Sequence, residues 1–160
     1  MEDLKKEIIT FLIDAKKEEL LLAQEAFKST HSLVKSPELK AEGKYDTRAI
    51  EAGYLAGAQK RRVDQIRGEL ERLKNFNNFG PHQRVAMGSL VEVMINERTK
   101  KQYFINISPG GREIDILGQK VVVVSPESPI GNELIGLEEF ESFEVSLKDE
   151  VKIYEIVSIS

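Results

Sequence analysis

Residues 36 to 54 read SPELKAEGKYDTRAIEAGY, a polar, acid-bearing segment set between two long runs of helical periodicity. Upstream, Leu4, Ile8, Phe11, Ala15, Glu18, Leu22 and Glu25 recur at alternating steps of four and three, the spacing of a coiled-coil seam. Downstream, Ala52, Ala56, Gln59, Val63, Ile66, Leu70 and Leu73 keep the same steps. Positions that face each other in an antiparallel hairpin have numbers summing to a constant. Here Leu4 pairs with Leu73, Ile8 with Leu70, Phe11 with Ile66, Ala15 with Val63 and Leu22 with Ala56, and the polar exceptions Glu18 and Gln59 meet as a register-fixing layer. The segment is then the tip of an antiparallel coiled-coil arm, with helices of about 27 residues making it roughly 40 Å long.

Within the tip, Ser36-Pro37 offers an N-cap followed by a proline at the first helical position, so a short extra turn of helix is expected there, broken at Gly43. Asp46 or Thr47 caps the second helix, which runs to about Lys74 and stops at Asn75 to Pro81, NFNNFGP. The domain reading is therefore a hairpin over residues 1–75 with its tip near 36–48, a junction at 76–81, and a second domain over 82–160. Phe76 and Phe79 make the junction a docked one, plugged against the second domain.

Past Val85 the period changes from helical to alternating. Met87 to Ile95 and Gln102 to Ile107 read as a strand hairpin around NERTKK, REIDIL and KVVVVS as further strands around Gly118, and Val121 to Val124 as a central one. Ser128 to Gly136, SPIGNELIG, has a serine cap, a proline at the first helical position and a glycine past the end, the marks of one short helix. SFEVSL and EVKIYEIVSI close the chain as two strands joined at Lys148-Asp149. The fold class is α+β: an N-terminal antiparallel coiled-coil hairpin and a small antiparallel sheet domain with one helix.

Composition narrows the function classes. With 41% hydrophobic residues in 160 the chain can bury a core, and its longest apolar runs fall far short of the roughly 20 residues a membrane span needs. The acids among the first nine residues argue against a secretory signal, and the chain has no cysteine for disulfide or thiolate chemistry, so a cytoplasmic location is expected. Net charge is −4; residues 1 to 78 carry 15 Lys+Arg against 14 Asp+Glu, and the remainder 8 against 13. That balance suits a protein partner with a basic surface better than direct DNA binding. Lys60, Arg61 and Arg62 read as a solvated helix face. His31 and His82 fall in different regions and build no metal or triad site, and Gly53 and Gly57 sit at helical spacing rather than in a phosphate loop.

The second domain resembles the GreA/GreB family of transcript-cleavage factors. VAMGSLVEV is similar to the family's opening strand, VVVVSPESPIGNELIGLEEFESFEV to its serine-proline helix and following strand, and EVKIYEIVSI to its last strand. After SPIG this chain has Asn132 and Glu133 where the family commonly has a basic or small residue. The resemblance implies an FKBP-like C-terminal domain. It also implies a factor that binds bacterial RNA polymerase, docks through the serine-proline face and places its coiled coil in the secondary channel. Ser128, Pro129, Ile130 and Leu134 are the docking candidates this implies, with Ile130 and Leu134 equally readable as core. The tip would then act in the polymerase's own active site, where two carboxylates help hold a second Mg2+ for hydrolysis of backtracked RNA at its 3′ end, so the factor is not itself an enzyme.

The family's tip typically carries an acid, two residues and another acid ahead of an asparagine-alanine-glutamate-tyrosine run. This chain has KAEGKYDTRAIEAGY, in which Glu51-Ala52-Gly53-Tyr54 keeps part of the later run while the nearest acid pair is Glu42 and Asp46, four apart. Glu38 and Glu51 are next, Lys40, Lys44 and Arg48 are interleaved, and Tyr45 stands beside Asp46. Expected metal ligands are thus Asp46 and Glu42, with Tyr45 as a stacking residue. Two alternatives follow: a paralogue that regulates polymerase without cleavage, favoured by the irregular tip, and an FKBP-like isomerase or chaperone, which would need an aromatic-lined proline pocket.

Overall fold

The computed structural model describes residues 1–35, 47–107 and 111–160, Leu147 by its backbone alone. Its elements in order are α1 (Glu2–Val34), α2 (Thr47–Lys74), β1 (Leu90–Ile95), β2 (Thr99–Ile105), β3 (Arg112–Ile116), β4 (Gln119–Val124), α3 (Pro129–Leu134), β5 (Ser142–Leu147) and β6 (Glu150–Ile159). The chain forms two compact units, Ile13–Lys74 and Met1–Leu12 with Asn75–Ser160, so α1 contributes to both.

In the helical unit, Lys16 binds Glu69 and Glu19 binds Arg62, so the partner number falls as the α1 number rises and the helices run antiparallel. The seam of α2 is the one the four-three spacing predicts: Ala56, Val63, Ile66, Leu70 and Leu73 are buried. The seam of α1 follows it only at its start, where Leu4 and Ile8 are buried and Phe11 and Ala15 half-buried. Leu22, expected opposite Ala56, is 67% exposed, and Glu18, expected opposite Gln59, is exposed as well. Burial in α1 instead steps from Ile8 to Leu12 to Lys16, and continues through half-buried Leu20, Ala23 and Phe27 to buried Thr30 and half-buried Val34. Three successive steps of four, from Ile8 to Leu20, take the place of alternating four and three. Because a straight helix has 3.6 residues per turn, a strict 3.5-residue stripe drifts by about 20° per heptad, and an added step of four corrects it.

The polar layer therefore differs from the predicted one. Lys16 Nζ donates to Glu69 Oε2 at 2.8 Å and to Glu19 Oε2 at 2.7 Å, and Gln65 Nε2 donates to Glu69 Oε1 at 3.0 Å. Burial by itself disfavours the Glu69 carboxylate. Hydrogen bonds from Lys16 and Gln65, with the charges of Lys16 and Arg62, outweigh it and hold the pKa below the ordinary value. For Lys16, burial is likewise opposed and overcome by its bonds to Glu19 and Glu69, and its pKa is raised.

In the second unit one six-stranded sheet has the order β3-β4-β2-β1-β6-β5. Four of its pairings are antiparallel, and β2 runs parallel to β4, an exception to the all-antiparallel expectation. The reason is topological: β3 and β4 form their own hairpin through Leu117-Gly118, and that hairpin docks by its second strand. Turns follow their residues. Asn96 and Glu97 adopt positive φ at the β1–β2 reversal, and Asn96 also bridges to β6, its Oδ1 accepting from Ile153 N at 2.8 Å.

One sheet face presents Val91, Val93, Tyr103, Ile105, Val124, Tyr154 and Ile156, packed with Leu134 of α3 and Phe143 of β5. Phe143 and Tyr154 stack across β5 and β6, centroids 5.0 Å apart. On the other face Leu90, Phe104, Ile114, Val121 and Val123 are equally buried. The first turns of α1 belong to this unit, and Arg112 of β3 lies over the Phe11 ring at 5.7 Å. Lys5, fully buried, donates to the carbonyls of Phe79 and Gly80 at 3.3 and 3.1 Å. Burial pushes its pKa down. Phe76 and Phe79 meet edge to face, and a Cβ on Gly88 would come within 2.8 Å of the Phe76 ring and 2.2 Å of Asn78 O. The junction is thus packed onto the start of β1.

Candidate functional site

Two places carry the predicted site residues. The tip residues Glu38, Lys40, Glu42, Lys44, Tyr45 and Asp46 lie outside the described residues, as does the extra helical turn expected after Ser36. The base of the tip is described. Helix α2 starts at Thr47, with Arg48 and Glu51 exposed in its first turns and Ile50 and Tyr54 exposed beside them.

The serine-proline segment is built as its residues dictate. Ser128 is extended (φ −72°, ψ 152°) and caps α3, its Oγ accepting from Gly131 N at 3.1 Å and donating to Ser125 O at 2.7 Å. Pro129, lacking an N–H, sits where a helix has no use for one. Gly131 is required by space: a Cβ there would lie 1.9 Å from Ser125 O. The exit is pinned as tightly, with Gly136 N donating to Val85 O and Val85 N to Leu137 O, both at 2.8 Å.

This geometry divides the four docking candidates. Leu134 is fully buried in the core and Ile130 packs against the same cluster, so Leu134 offers no surface and instead holds the helix down. Ser128 is half-buried and spent on its cap, while Pro129, Asn132 and Glu133 face solvent. Beside them runs an open groove lined by Lys101, Tyr103, Glu113 and Val122 together with Ser128, Pro129 and Ile130. Burial, with a smaller push from Tyr154, raises the Tyr103 pKa to about 12, so its phenol is neutral near pH 7. Among the described residues Tyr103 is the one aromatic of that lining, which is poor equipment for an isomerase pocket.

The remaining candidates resolve simply. His31 stacks on Phe27 at 5.3 Å within α1, and burial, reinforced by the Lys5 charge, pushes the His82 pKa down. Among the described residues no three His, Asp or Glu side chains are grouped to hold a metal ion. Lys60, Arg61 and Arg62 are exposed, Arg62 paired with Glu19. Spacing alone missed two features. The Lys16–Glu69 pair was hidden because a lysine and a glutamate on a helix read as solvent-facing. Phe140, 75% exposed with φ of 69°, was hidden because it falls in the turn between α3 and β5. A bulky residue in the left-handed region costs on the order of 1 kcal/mol. Its one sequence signal is an aromatic inside the acid run Leu137 to Glu141, LEEFE.

Comparison with known proteins bears on the sheet unit first. Residues 80–160, half of the chain, match the family described as transcription elongation factor, GreA/GreB, C-terminal. The chain belongs to the GreA/GreB family. The transcription elongation factor GreA of Clostridium botulinum strain Hall is 29% identical over 124 residues, covering 77% of this chain and 72% of that protein. GreA of the Langeland strain gives the same identity and coverage. Among solved structures, GreA factor homolog 1 of Thermus thermophilus aligns over 96% of this chain and 93% of its own, at 15% identity and a TM-score of 0.38. GreA/GreB from Nitrosomonas europaea aligns over 61% and 78%, at 21% and 0.39. Scores this low do not bear on the arrangement of the fold. The GreA/GreB match spans β1 to β6 and includes α3, so the Ser128 cap and the Gly131 contact lie inside the part by which the family is recognised. No helix among the described residues is long and apolar enough to cross a membrane.

Proposed function

We propose that this chain is a transcription elongation factor that binds bacterial RNA polymerase in the cytoplasm, docking through the serine-proline face of its sheet unit and delivering the hairpin tip into the secondary channel. The observation that carries the reading is the family match over residues 80–160, which coincides with the unit in which Ser128 and Gly131 build the α3 cap. Helix α2, 28 residues, is about 42 Å long, a reach suited to entering a channel from its rim. Pro129, the exposed edge of α3 and the adjoining groove are the contacts we assign to polymerase, with Leu134 supporting them from beneath.

At the tip, Glu42 and Asp46 supply oxygen donors of the kind Mg2+ prefers, and Mg2+ needs only one or two added carboxylates because it keeps most of its waters. When bound in the polymerase, that ion supplies the activated water and charge neutralisation of two-metal hydrolysis. The chain's own part is to position carboxylates and, through Tyr45, to stack against the 3′ end of backtracked RNA. It is not an enzyme by itself.

A second reading is supported by the tip sequence. Lys40, Lys44 and Arg48 alternate with the acids and weaken their hold on a cation. In that reading the chain occupies the channel and modulates polymerase without cleavage. Adding the purified protein to stalled, backtracked elongation complexes separates the two. RNA shortening that disappears in Asp46→Asn and Glu42→Gln supports the cleavage factor. Binding with no shortening supports the non-cleaving paralogue, and no binding defeats both.

A further inference from the structure

The turn after α3 holds an aromatic that the fold does not use. Phe140 is the third residue of the turn Glu138–Glu141, closed by Glu141 N donating to Glu138 O at 3.3 Å. Its φ of 69° belongs to a position where turns of this kind call for glycine. Its side chain is 75% exposed and adds little to the core. The backbone beneath it is nonetheless tied on every side. Phe140 N donates to Ile156 O at 2.8 Å and Ile156 N to Glu141 O at 2.9 Å. Glu138 N donates to Glu141 Oε2 at 2.7 Å, Ile159 N to Glu139 Oε1 at 2.9 Å, and Arg84 pairs with Glu138. Such a turn fixes the direction of the Phe140 Cα–Cβ bond, which lowers the ordering cost of a contact made through the ring.

The surroundings say what kind of surface meets it. Between Lys120 and Lys148 the chain has six glutamates and no lysine or arginine, and Glu133, Glu139, Glu141 and Glu144 are exposed; Arg84, from outside the stretch, offsets Glu138, and the other three glutamates near the turn leave it acidic. Nucleic acid and anionic membrane are repelled by that field, and so is a second copy of the same patch. A protein surface with basic side chains around an apolar socket is attracted, and a rigid aromatic inside a charged rim is the usual make-up of a binding anchor.

We infer that Phe140 is an anchor residue that inserts into an apolar socket on a basic surface of RNA polymerase, with the glutamates around it steering the approach. The inference rests on the proposed polymerase partnership and adds to it a contact residue outside the serine-proline segment. The test uses the full chain, labelled at its N-terminal amine, and purified bacterial RNA polymerase core enzyme, with binding measured by fluorescence anisotropy at low and moderate salt. Phe140→Gly should bind at least tenfold more weakly than wild type while melting at the same temperature or higher, because glycine suits the positive φ. Phe140→Trp should stay within threefold of wild type, and wild-type affinity should fall as salt rises. Phe140→Gly binding within twofold of wild type would overturn the inference, as would a Phe140→Gly protein that melts lower, since the ring would then serve the fold. Wild type that does not bind polymerase at all would defeat the functional proposal itself, and the inference with it.

Discussion

The helical unit and the sheet unit are specified in different ways. In the sheet unit each element is announced by residues that act locally: Ser128, Pro129 and Gly131 for α3, Asn96 for the β1–β2 turn, Gly118 for the β3–β4 turn. Each of these fills a steric or hydrogen-bonding role that few residue types can fill. In the helical unit the information is a stripe, and a stripe can be displaced by one residue at little local cost. Local chemistry tolerates little change at single positions, whereas periodicity tolerates more and is most sensitive where a buried charge would lose its partner.

The largest expected effect comes from crowding the local device. Gly131→Val places a branched Cβ against Ser125 O and should destabilise the sheet unit by about 4 kcal/mol, read as a fall in the urea midpoint by a near-ultraviolet or tyrosine signal. If the midpoint is unchanged, the close approach at α3 is not as tight as described.

Next is the buried pair of the hairpin. Lys16→Met leaves Glu69 charged and enclosed, and should cost about 3 kcal/mol in helical signal against urea. The double change Lys16→Met with Glu69→Leu should return to within about 1 kcal/mol of wild type, or exceed it, because an apolar layer needs no partner. A double variant as weak as the single one would mean that the pair does more than satisfy itself.

A pH series sharpens the same contrast. Glu69 has its folded pKa below the ordinary 4.5, so its contribution is fully present above that value and is lost as pH falls through the depressed folded pKa. Lys16 has its pKa raised above 10.5, so its contribution is present below that value and is lost only as pH rises past it. Helical stability should therefore be flat through neutrality and fall on the acid side, and Glu69→Gln should flatten the acid limb. The smallest effect separates the observed seam from the predicted one: Leu22→Ser should change stability by less than about 0.5 kcal/mol, whereas Phe27→Ser should cost about 2 kcal/mol. The opposite order would restore the four-three seam of α1.

How much was legible follows from the same distinction. The α+β class, the end of α2 at Lys74, the Ser128 cap and the final strand pair were all readable, since capping, turn and alternation signals act within a few residues. The α2 seam was readable because from Lys60 to Lys74 its apolar side chains, Val63, Ile66, Leu70 and Leu73, stand among charged and polar neighbours. The later part of the α1 seam was not: Leu20, Leu21 and Leu22 are consecutive, and nothing in their side chains says which one turns inward. Only the drift of a straight helix decides it, together with where Lys16 finds Glu69. The parallel β2–β4 pairing was invisible for a related reason, because strand patterns report faces and not neighbours. Phe140 could not be read because a positive φ at a phenylalanine contradicts its propensity, and such conflicts concentrate where something other than the fold is served.

The central claim is that the tip of this GreA/GreB-family chain is delivered to the polymerase active site. Because the chain has no cysteine, Tyr45→Cys places a single thiol at the tip, to which an iron chelate can be tethered for hydroxyl-radical cleavage of bound polymerase. The account predicts cuts in the catalytic subunit around its active-site carboxylates, abolished by excess wild-type chain. Cuts confined to the outer surface of polymerase, with the chain bound, would contradict it.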